Sequence, residues 1–292
     1  MISKLKILLL GVIPSLLPYS FLSRYWITLS QFQRFFRKSD YIHSIHRYQQ
    51  GNLTNLFLLK MSDGEILIQD LMRSSRFLRG RKYATNRLFD QYVRDKDNFN
   101  KLISKVVDRL LVFDIGANIG EFAIAVASKF PNSLIYAFEP DPVAHECLKF
   151  NVNAMHLCEK IKTVDEALSN QSGLSSFYVS TANADSSLIA PSSYSNIIKL
   201  NCLRGDQFMQ QEKIENIALL KMDAEGFEPE ILEGFGYQLN QIDFFAIDVG
   251  PERAGVDTEF EVSQILRKQG THFELFEDAG SRKFLNAHWA SP

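Results

Sequence analysis

Lys221-Met222-Asp223-Ala224-Glu225-Gly226-Phe227-Glu228 sets a lysine and three carboxylates within eight residues, directly after the apolar run at residues 217–222. Carboxylates crowded together raise one another's pKa, which is how a general base working near neutrality is made. Asp223 and Glu225 are two apart and share a face if the backbone there is extended. Either is a candidate base, with Lys221 to orient that carboxylate or hold it ionised. Glu228 opens a helix whose first turn accommodates Pro229. The competing reading is a set of surface acids favoured by a helix N-terminus. Oxygen ligands also suit a divalent metal such as Mg²⁺, an alternative that stays open although the sequence shows no further ligand that must complete such a site.

Other strand ends carry groups of complementary chemistry. Asp114-Ile115-Gly116-Ala117-Asn118-Ile119-Gly120 follows the apolar run Leu110-Leu111-Val112-Phe113. Its glycines permit a tight turn and a close ligand approach, and the next helix offers free N–H groups. The spacing is GxxxG, not the dinucleotide fingerprint GxGxxG. It suits a ligand with a carboxylate and an ammonium better than a pyrophosphate. Glu139 ends the next strand, 19 residues beyond Gly120. An acid there accepts hydrogen bonds from the two hydroxyls of a ribose. Asp141, just before Pro142, reads as a helix N-cap. Asp165 or Glu166, after a third strand, is placed to meet an adenine amino group, or is a solvated acid. Asp248 and Glu252 end a further strand and are candidates to contact a hydroxylated substrate.

These groups need a scaffold. From Leu110 onward short apolar strands alternate with amphipathic helices of 10–15 residues, the pattern of an α/β fold with a mostly parallel sheet. Such a sheet binds ligands beyond the carboxyl ends of its strands. Residues 1–54 read as an apolar and basic helical segment. Residues 55–109 read as a hairpin, turning at Asp63-Gly64, followed by basic helices. Residues 110–292 form the ligand-binding domain.

The chain has 292 residues, 46% hydrophobic and 23% charged, enough for a sizeable core and unlike a disordered or collagen-like chain. Its net charge of −2 hides an asymmetry: residues 1–110 hold 19 basic and 8 acidic residues, the remainder 13 and 26. Three cysteines without CxxC spacing argue against a disulfide framework and a structural zinc site, and fit a reducing, cytoplasmic setting. An acidic ligand mouth and the lack of a recognition motif argue against nucleic acid. The uncharged run at residues 7–23, broken by Pro14 and Pro18, reads first as a helix docked on the domain or lying peripherally on a membrane through residues 1–38. A membrane anchor ranks second and a cleaved signal third. Residues 180–196, rich in Ser, Asn and Ala, suit an acceptor lid.

Taken together, Asp114-x-Gly116-x-Asn118-x-Gly120, Ala137-Phe138-Glu139-Pro140, Ala167-Leu168 and Lys221-x-Asp223-x-Glu225-Gly226-x-Glu228 resemble the FkbM family of methyltransferases over about residues 110–290. The resemblance implies a Rossmann-like, seven-stranded class I methyltransferase sheet with helices on both faces, its last strand antiparallel. A basic, mainly helical N-terminal extension lies outside that core. It implies S-adenosylmethionine as cofactor, contacted by Asp114, Gly116, Asn118, Gly120 and Glu139, with Asp165 or Glu166 near adenine. It places Asp223, Glu225, Lys221 and Glu228 nearest the chemistry: methylation of a hydroxyl on a sugar, glycan or natural product. Two acids before Ala167-Leu168 depart from the family pattern and weaken the adenine assignment. The competing functions are a nicotinamide-dependent oxidoreductase on a Rossmann sheet and a non-catalytic S-adenosylmethionine-binding protein.

Overall fold

A computed structural model describes residues 18–37, 40–50, 53–106, 108–180, 186–190, 194–253, 255–278, 280 and 282–289. Chain order begins with α1 (Tyr19–Arg37), β1 (Ile42–Gln50), β2 (Leu53–Met61) and β3 (Gly64–Ile68). These three strands form an antiparallel sheet. The run at 42–50 was expected to be helical; it is a strand because Ile42 and Ile45 are drawn into an apolar cluster with Trp26, Leu56 and Leu59. Tertiary burial here outweighs weak local preference. Asp63-Gly64 makes the β2–β3 turn as its sequence predicts, with Gly64 at φ 124°. Asp63 does a second job. Its carboxylate accepts from the N–H groups of Arg81 (3.0 Å) and Lys82 (2.6 Å) and so caps α2 (Arg81–Tyr92). A 3₁₀ helix (Leu71–Phe77) joins hairpin to α2, and α3 (Lys96–Lys105) follows.

The remaining elements are β4 (Leu110–Ile115), α4 (Glu121–Lys129), β5 (Ser133–Phe138), α5 (Pro142–Ala154) and β6 (Ile161–Val164), then β7 (Ala167–Ser169), β8 (Gly173–Val179), β9 (Asn196–Arg204) and α6 (Gly205–Gln211). They continue through β10 (Leu219–Met222), α7 (Glu228–Phe235), β11 (Phe244–Asp248), α8 (Glu259–Gln269), β12 (Thr271–Glu277) and β13 (Lys283–Trp289). Seven strands pair in the order β6-β5-β4-β10-β11-β13-β12. All run parallel except β13, which is antiparallel to both neighbours. This is the Rossmann-like class I methyltransferase sheet. The order reverses between β4 and β10, so the carboxyl ends of these two strands border the crevice. β7, β8 and β9 form a separate small sheet that the alternation pattern did not reveal.

Helices cover both faces. Phe122, Leu148 and Val152 pack on one face with Phe89 and Phe99; Phe208, Leu232, Phe235 and Leu266 pack on the other. Phe89 and Phe99 come from α2 and α3, so the core crosses residue 110, where the sequence divides. A buried Asn151 on α5 ties the N-terminal sheet down. Its Oδ1 accepts from the Leu67 N–H (2.7 Å), and its Nδ2 donates to Leu67 O (3.0 Å) and Ile119 O (2.9 Å). α1 lies on the hairpin sheet through Leu22 and Trp26 and presents Phe21 and Phe32 outward. No described helix is long and apolar enough to cross a membrane. Residues 1–17, which hold most of the apolar run, lie outside the described residues.

Candidate active site

β4 and β10 end side by side, and their turns touch. Gly116 sits at φ 71°, and a Cβ there would lie 1.8 Å from the Asp223 carbonyl oxygen, so only glycine fits. Below this contact Lys221 is buried. Its Nζ donates to Gly116 O (2.8 Å) and forms an ion pair with Asp114 (3.1 Å). Asp114 also accepts from the Ala123 N–H (3.1 Å) at the start of α4. Asp114 therefore anchors Lys221 and the α4 N-terminus beneath the floor. It does not line the cavity.

The cavity has a volume of about 690 Å³ and spans the carboxyl ends of β4, β5 and β10. Gly116, Asn118, Glu139, Glu166, Lys221, Asp223 and Glu225 line it, as the sequence expects of site residues. Glu139 accepts from the Asn118 N–H (2.7 Å) and the Asp141 N–H (2.9 Å). Burial pushes its pKa up to about 7, with Asp141 adding to the rise and the two N–H groups opposing it. Asp141 caps α5 as predicted, accepting from Val143 and Ala144. Ser186, Ser187 and Leu188 reach the cavity; of the expected lid, residues 181–185 and 191–193 lie outside the described residues.

Three further sequence candidates are not in the lining. Gly120 faces α5, where a Cβ would meet the Leu148 side chain at 2.7 Å. Asp165 points to solvent, leaving Glu166 as the acid at that wall. Glu228 is buried under the turn at residues 223–226. One of its oxygens accepts from the Ala224 (2.9 Å) and Gly226 (3.2 Å) N–H groups, the other from the Thr258 hydroxyl (3.1 Å). It braces the turn and does not reach the cavity.

The turn itself is not extended. Glu225 adopts φ 53°, yet it still converges with Asp223: carboxylate oxygens of Asp223, Glu225 and Glu252 lie within 4.8 Å of one another. Arg282 supplies a cation there. Its guanidinium donates to Asp248 and lies 3.4 Å from Asp223 and 3.5 Å from Glu252. Asp223 Oδ2 also accepts from the Tyr92 hydroxyl, while Asp223 Oδ1 is buried with no hydrogen-bond partner among the described residues. Although burial works in the other direction, Lys221, Arg282 and Tyr92 hold the Asp223 carboxyl below its usual range. Glu252 is pushed up to about 11 by burial and by Asp223, Glu225 and Asp248. Two neighbouring acids thus differ in role: one ionised, one holding its proton.

Tyr92 and Arg282 escaped the sequence reading. Arg282 stands just before β13. An antiparallel last strand starts at the same edge where the parallel strands end, so a reading that used this rule would have found it. Tyr92 carried no local signal.

Among the described residues, nine carboxylates and five cationic side chains line the cavity. Such a donor set fits a ligand carrying a sulfonium and an ammonium, and an acid at Glu139 accepts ribose hydroxyls while opposing a phosphate. The residues present therefore fit S-adenosylmethionine.

Comparisons with known proteins agree. The chain is similar to the hexuronic acid methyltransferase AglP of Haloferax volcanii, 26% identical over 181 residues, or 62% of this chain and 71% of that protein. It is also similar to methyltransferase sdnD of Sordaria araneosa, 26% identical over 162 residues, covering 45% of this chain and 62% of sdnD. The 2-O-methyltransferase NoeI of Sinorhizobium fredii is 23% identical over 169 residues, covering 51% and 68%. The methyltransferase FkbM domain matches residues 114–283. That match displaces the oxidoreductase alternative, which rested on the sheet alone. It runs from the carboxylate at the tip of β4 to the first residue of β13 and takes in every parallel-strand end that lines the cavity, so the chain belongs to the FkbM methyltransferase family.

Proposed function

We propose that this S-adenosylmethionine-dependent methyltransferase methylates a hydroxyl group of a sugar or sugar-containing molecule, with Asp223 as the general base. The observation that carries the reading is the Asp223 carboxylate, which lines the cavity with Glu139 and is held below its usual pKa range by Lys221, Arg282 and Tyr92. Glu139 would hold the ribose, the Gly116–Asn118 turn the methionine part, and Glu166 the adenine side. Bound there, the cofactor supplies an activated methyl on a sulfonium, so the acceptor needs only position and a place for its proton. The Asp223 carboxylate would accept the hydroxyl hydrogen bond and take its proton as the methyl passes to the oxygen, the carbon–sulfur bond breaking to leave a neutral thioether. Glu225 and the protonated Glu252 flank this point and orient a polyhydroxylated acceptor. The names of AglP and NoeI, a hexuronic acid methyltransferase and a 2-O-methyltransferase, support a sugar hydroxyl as the acceptor.

The test is methyl transfer from labelled cofactor to a panel of neutral and acidic sugar glycosides. Asp223→Asn should lower kcat by at least about 10²-fold, the scale of a positioned base, while calorimetric affinity for S-adenosylhomocysteine stays near the parent value. Glu139→Ala should lose that affinity. Parent-level turnover in Asp223→Asn would remove the base assignment. Transfer to no sugar would remove the acceptor class.

A further inference from the structure

We propose that Tyr92, from the N-terminal part of the chain and outside the matched family domain, is a positioning residue of the active site: its hydroxyl ties down Asp223 Oδ2 and so fixes the orientation of that carboxylate at the cavity. This rests on the reading of Asp223 as the base.

The Tyr92 ring is 1% exposed and fixed on several sides. It packs edge-on against Phe122 (5.8 Å) and Phe284 (5.2 Å), and Lys221 Nζ lies 5.0 Å from its centre. Its backbone is fixed as well. Asn286 on β13 donates to Tyr92 O (2.8 Å) and accepts from the N–H groups of Arg94 (2.7 Å) and Asp95 (2.9 Å). A ring held this way has one polar atom, and that atom donates to Asp223. Burial and the nearby Asp223 raise the phenol pKa well above 10, so it remains a donor throughout the working pH range. A carboxylate just beyond a strand end rotates about its own bonds. Tyr92 and Arg282 both hold Oδ2, and with that oxygen fixed the carboxylate keeps one orientation where it lines the cavity. Donation to an ionised carboxylate also favours its charged form.

A merely structural tyrosine, satisfying its buried hydroxyl on whatever oxygen is near, would make a different prediction. Loss of the hydroxyl would then lower thermal stability and leave the ionisation of Asp223 alone. The experiment is the pH profile of kcat/KM for the parent, Tyr92→Phe and Phe284→Leu, using the full chain and the best sugar acceptor from the panel. Activity falls as pH drops through the Asp223 pKa. Tyr92→Phe should move that acid limb up by about one pH unit and lower kcat about tenfold, with acceptor KM little changed. Phe284→Leu loosens the ring without removing the hydroxyl. It should lower Tm and leave the acid limb in place. If Tyr92→Phe is too unstable to assay, 3-fluorotyrosine at position 92 makes a stronger donor, and the limb must then move to lower pH. An unmoved limb in the Tyr92 variant, or an equal shift in Phe284→Leu, overturns the positioning role. Full activity in Asp223→Asn would instead overturn the base assignment beneath it, so the two failures are distinguishable.

Discussion

Arg282 is the hinge of the site's electrostatics at the scale of single residues. Among the described residues three carboxylates, of Asp223, Asp248 and Glu252, meet at it, and Asp248 is fully buried. Burial and Asp223 push Asp248 up to about 6, and only the guanidinium and the Gly250 N–H oppose this. Replacing Arg282 by Met leaves these acids uncompensated, and we expect a loss of about 2 kcal/mol or more of stability in urea unfolding at pH 7. An unchanged midpoint would mean that the cluster neutralises itself by protonation. Glu228 gives a second residue-scale prediction. Burial raises its pKa from 4.5 to about 7 against the pull of the N–H groups of the turn. The folded chain therefore binds a proton that the unfolded chain has released. That contribution is complete below about pH 4.5 and is lost as pH rises through about 7. Glu228→Gln keeps an acceptor for the turn and removes the titration. Between pH 5 and 8 the parent should lose about 1–3 kcal/mol relative to the variant, read from melts across that range, with turnover near parental because Glu228 does not reach the cavity. Parallel pH dependence in the two chains would contradict the assignment.

At the scale of elements, two asparagines join parts that the sequence pattern treats separately. Asn151 on α5 grips β3, and Asn286 on β13 grips the end of α2. Each satisfies backbone groups that would otherwise be buried without partners, a loss of about 1–3 kcal/mol per group. Asn286→Ala leaves the N–H groups of Arg94 and Asp95 and the Tyr92 carbonyl to find other partners. It should destabilise by about 2–4 kcal/mol and, because the Tyr92 end of α2 is released, also lower kcat. Hydrogen exchange at residues 88–95 would check this; unchanged protection would count against the link. The hairpin turn at Asp63-Gly64 is a similar joint, since the same aspartate caps α2 and so aims it over the crevice.

For the whole molecule, the charge asymmetry separates a basic N-terminal part from an acidic remainder. No acidic residue precedes Asp40, while Lys4, Lys6, Arg24, Arg34, Arg37 and Lys38 do. α1 turns Phe21 and Phe32 outward beside Arg24. Aromatic and basic residues on one helix face are a pattern of interfacial binding to anionic lipid. The full chain is expected to sediment with phosphatidylglycerol vesicles more than with phosphatidylcholine vesicles, and to release them as salt rises. Phe21→Ser with Phe32→Ser should weaken binding several-fold. Equal partition to both vesicle types would argue against an electrostatic surface.

Much of this protein follows from local sequence. Alternating apolar strands and helices with glycine turns specify the parallel sheet, because such strands are buried on both faces and their ends need tight turns. Glu139, Asp223 and Glu225 were visible for the same reason: polar groups that directly follow a buried strand lie at the carboxyl edge, where ligands bind. What the sequence could not determine depends on distance along the chain. Asp114 and Glu228 carry the right chemistry, but only packing shows that one lies under Lys221 and the other under the turn. The strand at Ile42–Gln50 forms because a partner strand and Trp26 are present to bury it, not from its own pattern. Tyr92 and Arg282 lie 131 and 59 residues from Asp223. Spacing rules reach only a few turns or strands, so the contact that fixes the candidate base exists only once the two halves of the chain have packed together.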